Sequence, residues 1–406
     1  MSSTLRGATA LKVFLCFAAG YLISYGLRSV NAVIAPVLVA DLHLSSADLG
    51  LLSSAYFVSF ATLQLPLGVW LDRYGPRRIE AGLLLIAALG AAVFATATTL
   101  TGLWIGRALI GVGVSACLMA AFKAYRQWFA PEQQSRLASF MLVAGTSGAL
   151  SATLPVTMAV PAIGWRGVFW VVAGAIVLVA AAIFFLLRDV ERAHPLPAAA
   201  ASADGAYAKI FGSAYFWRFA LLGLINHGSF FALQTLWAGP WMSQVLGKTT
   251  AETSSILFVL NLVLMLAYLA LGWAAPRLAA RGWHAHSLIG WGIGAMLLAQ
   301  LGMLFGGWGW WLVLALFVPV TTIVQSHLAL AFPASQAGRI NSAYNLQLFV
   351  GAFVVQWGIG VLIDVFRSHG ADAATALRAA LACCVGLQVL SWLHFLLRRV
   401  AAPAEN

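Results

Sequence analysis

Apolar runs long enough to cross a lipid bilayer recur along this 406-residue chain and leave little between them. A spanning helix needs about 20 predominantly apolar residues. Such runs fall near 13–40, 47–71, 78–99, 102–124, 137–160, 166–187, 215–245, 253–275, 287–306, 309–331, 341–364 and 375–397. Hydrophobic residues make up 62 % of the chain and DEKR 9 %, against about 25 % charged residues in soluble domains. An aqueous fold of this composition would have an apolar exterior as well as an apolar core. Lipid is therefore the solvent this chain requires. Coiled coil, collagen, disorder and a soluble enzyme are excluded together. The first run, preceded by Arg6 and Lys12, is too long for a signal peptide and reads as a retained spanning helix.

The formal charge of +11 would suggest nucleic acid in a soluble protein. Its distribution gives another reason. If the N-terminus lies in the cytoplasm, 17 Lys and Arg residues fall on that side, from Arg6 and Lys12 through Arg73, Arg77, Arg78, Lys123 and Arg136 to Arg399. The opposite side holds Arg166, Lys248, Arg367 and Arg378. This positive-inside bias places both termini in the cytoplasm of a cell with an inner or plasma membrane, and it removes nucleic acid as a partner. Cys16, Cys117, Cys383 and Cys384 sit in apolar stretches without metal-site spacing, so no cofactor or metal is expected.

The longest polar interruption, 188–214, carries Arg188, Asp189, Glu191, Arg192, Pro195, Pro197 and Asp204 and reads as a linker between residues 1–187 and 215–406. The two halves echo each other. Gly68-Val-Trp-Leu-Asp72-Arg73-Tyr-Gly75-Pro-Arg77-Arg78 returns as Gly272-Trp-Ala-Ala-Pro276-Arg277, about 204 positions on. Pro131-Glu-Gln-Gln-Ser-Arg136 returns at nearly the same offset as Pro333-Ala-Ser-Gln-Ala-Gly-Arg339. Two loop pairs at nearly one spacing imply a duplicated bundle, an arrangement found in transporters.

On these residues the chain resembles the major facilitator superfamily. The Gly68–Arg78 string is similar to that family's loop signature, with Pro76 where the first of three basic residues stands. Arg107 in Arg107-Ala-Leu-Ile-Gly111-Val-Gly113 resembles its fourth-helix motif. The resemblance implies an all-α membrane fold of twelve transmembrane helices in two pseudo-symmetric six-helix bundles, normally a monomer. It also implies a central cavity lined by helices one, four, seven and ten. A further implication is a gating role for Gly68, Asp72, Arg73, Gly75 and Arg77, which hold the halves together when the carrier opens outward. The fifth helix, with Gly145-Thr-Ser-Gly148, lacks the G-P-x-x-G-G ending of drug antiporters.

Charges kept inside hydrocarbon are expensive and point to function. Arg28 and Arg107 are the two cations well inside spans, and Tyr21, Ser24, Tyr25, Arg28 and Asn31 share one face of helix one. A guanidinium there can fork onto a carboxylate or phosphate; it can equally be satisfied by carbonyls. Helix seven offers Asn226, His227, Gln234 and Trp237 as groups that could orient a small solute, or that bond to neighbouring helices, with Trp241 as an interfacial anchor. Helix eleven adds Asn345. Lys123 reads as a topogenic charge pointing away from Arg107. None of the twelve acids lies at mid-span; Glu80 and Asp364 come closest, which leaves His227 as the candidate for a coupling proton. No nucleophile-and-base set or phosphate loop appears, so no enzymatic reaction is indicated. The expected activity is secondary transport of a small organic anion by alternating access. Drug efflux by proton antiport and a transport-inactive sensor are the alternatives.

Overall fold

The computed structural model describes Leu5, residues 7–194, 206–332 and 337–398, and Val400. Arg6, Pro195, Pro197, Asp204, residues 333–336 and Arg399, named above, lie outside the described residues. Helix dominates, and no strand occurs among the described residues. Among the described residues, ten helices are by themselves long and apolar enough to cross a bilayer. Two further crossings are made by interrupted helices, which gives the twelve-helix arrangement.

The first crossing, α1, runs from Gly7–Ser29 through a turn at Val30 into Asn31–Leu42. The second, α2, is a bent pair, Ser46–Thr62 and Gln64–Tyr74, meeting at 49°. Ser45 and Asp48 start it with a reciprocal capping box, which satisfies donors that a helix end otherwise leaves open. Gly75, at φ 84°, makes the sharp turn into α3 (Pro76–Thr96), and Pro76 at its first position needs no hydrogen-bond acceptor. Next come α4 (Leu100–Val114 and Cys117–Trp128) and α5, which begins as Pro131–Ser151 and continues through 154–163. Gly164 ends α5 with a φ of 70°, a conformation side chains resist, and α6 (165–186) returns from there. Short helices Arg188–Ala193 and Ala206–Gly212 flank the connection to the second half.

That half contains α7 (Ala214–Val245), α8 (Thr250–Ala280), α9 (Ala285–Phe305), α10 (Gly309–Phe317 and Val320–Leu330), α11 (Ala337–Ser368) and α12 (Ala373–Leu397). Helix α7 is irregular. Gly223–His227, Leu233–Trp237 and Trp241–Val245 are π-helical turns, wider than the 3.6-residue turn that the helical-wheel reading assumed. Its side-chain directions therefore drift from those expected. Trp241 shows the result: it is buried and its ring packs 6.3 Å from that of Trp311, so it is no interfacial anchor.

The halves meet along three seams, α2 against α11, α5 against α8, and the second part of α1 against α7. For orientation, one face of the bundle is called the basic face, since it carries the loops of Arg73, Arg77, Arg78 and Arg277. The seams close at the other face. There Asp364 of α11 accepts hydrogen bonds from the backbone N–H groups of Ser46 (3.2 Å) and Ala47 (2.7 Å), capping the start of α2 across the interface. Nearby, the hydroxyls of Thr157 and Ser254 join α5 to α8 at 2.5 Å. Gly50 packs so closely that an added Cβ would stand 2.9 Å from the carbonyl oxygen of Gln356 and 3.2 Å from Trp357 Cα. Small residues permit this approach, the usual device for helix contacts in lipid.

Candidate functional site

Arg28 occupies the last turn of the first part of α1, just before the break at Val30, and is 5 % exposed. Its guanidinium carbon lies 4.6 Å from the ring centre of Tyr25 on α1. The rings of Tyr56 and Phe60 on α2 stand at 5.7 and 5.6 Å. Phe231 of α7 and Phe349 of α11 each stand at 5.3 Å. Both halves thus contribute rings to one cage around a single cation. Phe60 and Phe349 close it, with centroids 4.3 Å apart across the α2–α11 seam.

No Asp or Glu pairs with Arg28 among the described residues. Aromatic faces stabilise the cation by about 0.5–2 kcal/mol each without consuming the N–H edge of the guanidinium. Its Nε has no hydrogen-bond partner, although the Tyr56 hydroxyl is within reach of the group. Such an arginine retains forked donors for a carboxylate. His227 lies on the far side of Phe231, ring centres 4.5 Å apart, and its Nδ1 also lacks a partner.

Other expected site residues are engaged with neighbouring helices. Arg107 donates to the Leu27 carbonyl at 2.9 Å, so it satisfies backbone at the break in α1. Asn31 donates to Ser53 of α2 at 2.7 Å. Asn226 turns toward Ser391 of α12 (3.4 Å), Gln234 donates to Asn261 of α8 (2.8 Å), and the Trp237 indole donates to the Gln356 carbonyl (3.1 Å). The single polar face expected on α7 is dispersed by the π turns, and only His227 stays beside the Arg28 cage. Asn345 accepts from Gln325 of α10 at 3.3 Å.

Among the loop residues, Asp72 is paired with Lys123 of α4 rather than with an arginine, so Lys123 is more than a topogenic charge. Arg77 is buried, bonded to Glu191 (2.6 Å) and to the Phe184 carbonyl (2.6 Å). Arg73 lies over the Tyr74 ring at 5.3 Å. These contacts stay within the first half and, through Glu191, the start of the linker. A Cβ on Gly68 would meet nothing within 4 Å, so no neighbouring helix presses on that glycine in this state. Sequence reasoning missed Tyr56, Phe60, Phe231 and Phe349. In a chain with 24 Phe, no local pattern separates a cage ring from a lipid-facing one.

A family model described as Major Facilitator Superfamily matches residues 17–356. The chain belongs to this superfamily. It is an integral, multi-pass membrane protein. Within the superfamily it is 29 % identical over 161 residues to the hexuronate transporter of Escherichia coli (strain K12), covering 39 % of this chain and 36 % of that one. It is 25 % identical over 354 residues to the putative tartrate transporter of Agrobacterium vitis, covering 78 % and 76 %. The alignment with the hexuronate transporter thus spans about a third of that relative's length. Among solved structures, a bacterial homolog to the human lysosomal transporter Spinster, in an inward-facing and unoccupied conformation, matches with a TM-score of 0.79 at 16 % identity, covering 97 % of each chain. That likeness establishes the superfamily fold.

Proposed function

We propose that this protein is a secondary carrier that moves a small organic anion across the membrane by alternating access, with Arg28 binding the negative charge. The observation that carries this reading is a buried guanidinium at the junction of the two halves, held by aromatic faces and unpaired with any described carboxylate. A cation kept in that position gains most when an anion arrives, because its donors are already desolvated and aligned. The relatives named for hexuronate and tartrate support the same class of cargo, small hydroxylated carboxylates. Tyr25, His227 and the cage rings line the anion's surroundings. Asn31, Arg107, Asn226, Gln234, Trp237 and Asn345 fix the helices around it.

The moving units are residues 1–187 and 215–406, joined by 188–214. Seams closed at the face opposite the basic loops correspond to one end of the transport cycle. In the other, Gly68, Asp72, Arg73, Gly75 and Arg77 bring the basic ends of the halves together. The charge bias supports an orientation with both termini in the cytoplasm, and membership of the superfamily supports a monomer in the cytoplasmic membrane.

A thermal-shift screen of the purified protein tests the cargo class. A hexuronate, tartrate or another small organic acid is expected to raise the melting temperature in a saturable way. At 100 times Kd the stabilisation is about 2.7 kcal/mol. Shifts produced only by amphipathic cationic drugs would overturn the anion reading in favour of drug efflux.

A further inference from the structure

Glu80 stands one turn into α3, and its side chain is fully buried. The weakly donating Cys117 thiol is within reach of the carboxyl, which otherwise has no hydrogen-bond partner, and no Lys, Arg or His lies within ion-pair distance among the described residues. Gly20 of α1 packs directly on it: a Cβ there would stand 2.5 Å from Oε1 and 3.8 Å from Cys117 Sγ. The sequence placed Glu80 near a membrane edge, where water would solvate it. The packing of α1, α3 and α4 removes that water. An ionised carboxylate without water or a cation costs far more to bury than the neutral acid does. The group therefore holds a proton in this state.

Two further features give that proton a role. Towards the basic face, α4 places the buried Tyr125 hydroxyl, which has no hydrogen-bond partner, close enough to the carboxyl to feel its charge. Towards the centre, Gly20 and Arg28 lie on the same continuous helix, eight residues or about 12 Å apart. Displacement of α1 at one position is thus transmitted to the other.

We propose that Glu80 carries the coupling proton of this transporter, loaded together with the anion at Arg28; this rests on the anion-carrier reading above. Glu80 takes up its proton from one compartment and, in the opposite carrier state, releases it to the other, so the proton crosses with the anion. A monovalent anion on Arg28 and a proton on Glu80 cross with no net charge, which avoids the work of about 2.3 kcal/mol per charge per 100 mV. Among the described residues, the titratable groups that interact with Glu80 are Cys16 of α1 and Cys117 and Tyr125 of α4; Lys12 acts on Cys16, and Arg77, earlier on α3, is held by Glu191.

Infrared spectroscopy of the purified protein without any anion tests the protonation directly. The wild type is expected to show the C=O stretch of a buried protonated carboxylic acid at neutral pH, and Glu80→Gln, isosteric with the neutral acid, to lack it while melting like the wild type. In proteoliposomes the variant is expected to lose accumulation of labelled galacturonate or tartrate driven by a pH gradient, by at least tenfold, while retaining anion exchange at zero gradient. A wild type without the band, or a variant that still accumulates anion against a pH gradient, would overturn the proposal. Failure of the anion reading would look different: the wild type would carry no anion, with the band unaffected.

Discussion

Replacement of Arg28 by glutamine is expected to lower kcat/KM for organic-anion uptake by roughly 100-fold or more, without loss of folded protein. The reason is an asymmetry of burial. Charge-assisted hydrogen bonds contribute about 1.5–3 kcal/mol, and a buried charge that loses its partner costs about 3–5 kcal/mol. In the variant the unpaired charge is that of the bound anion. About 3 kcal/mol corresponds to roughly 100-fold in rate. The empty protein loses the ring contacts, but this is offset by relief of a buried charge that forms no ion pair among the described residues and whose Nε is unpartnered. Its melting temperature should stay level or rise. Arg28→Lys keeps the charge but loses the planar fork and the ring stacking, so an intermediate loss, about tenfold, is expected. Initial uptake rates in proteoliposomes, with melting curves of the same preparations, check all three proteins.

Gly50→Leu should be as damaging by a different route. A side chain at this position of α2 would press on the backbone of Gln356 and Trp357 in α11, and backbone cannot rotate away. Overpacking of this kind costs about 1–3 kcal/mol. Here the cost falls only on the state in which the α2–α11 seam is closed. An equilibrium between two carrier states would then shift by roughly 5- to 150-fold toward the state open at that face. Uptake should fall by more than tenfold, since a carrier must visit both states. Spin labels on exposed Ile163 at the end of α5 and His369 just after α11, one in each half at the face where the seams close, should report a longer distance in the variant. An unchanged distance distribution would show that this contact does not seal the carrier.

The sequence reading reached the architecture because membrane folds announce themselves through length and hydropathy, which need no tertiary information. Arg28 was legible for the same reason: a guanidinium among aliphatic residues is costly wherever the helix turns. Its partners were not. Tyr56 and Phe60 lie on α2, Phe231 on α7 and Phe349 on α11, and only the meeting of the two halves makes them neighbours. Asn226, Gln234 and Trp237 were grouped by a wheel of 3.6 residues per turn, which the π turns of α7 invalidate. Glu80 was correctly placed one turn from a loop, but depth along the membrane normal is not burial. The glycine opposite it on α1 decides that. Asp72 and Lys123 are 51 positions apart, and their pairing depends on how α2 lies against α4.

The central claim is that the Arg28 guanidinium binds the transported anion between the halves. A structure of the protein with a bound organic acid tests it most directly. The account predicts a carboxylate on the N–H edge of Arg28, within about 3 Å and enclosed by Tyr25, Phe231 and Phe349. An acid bound elsewhere, with Arg28 still enclosed by its rings and free of any anion, would contradict it.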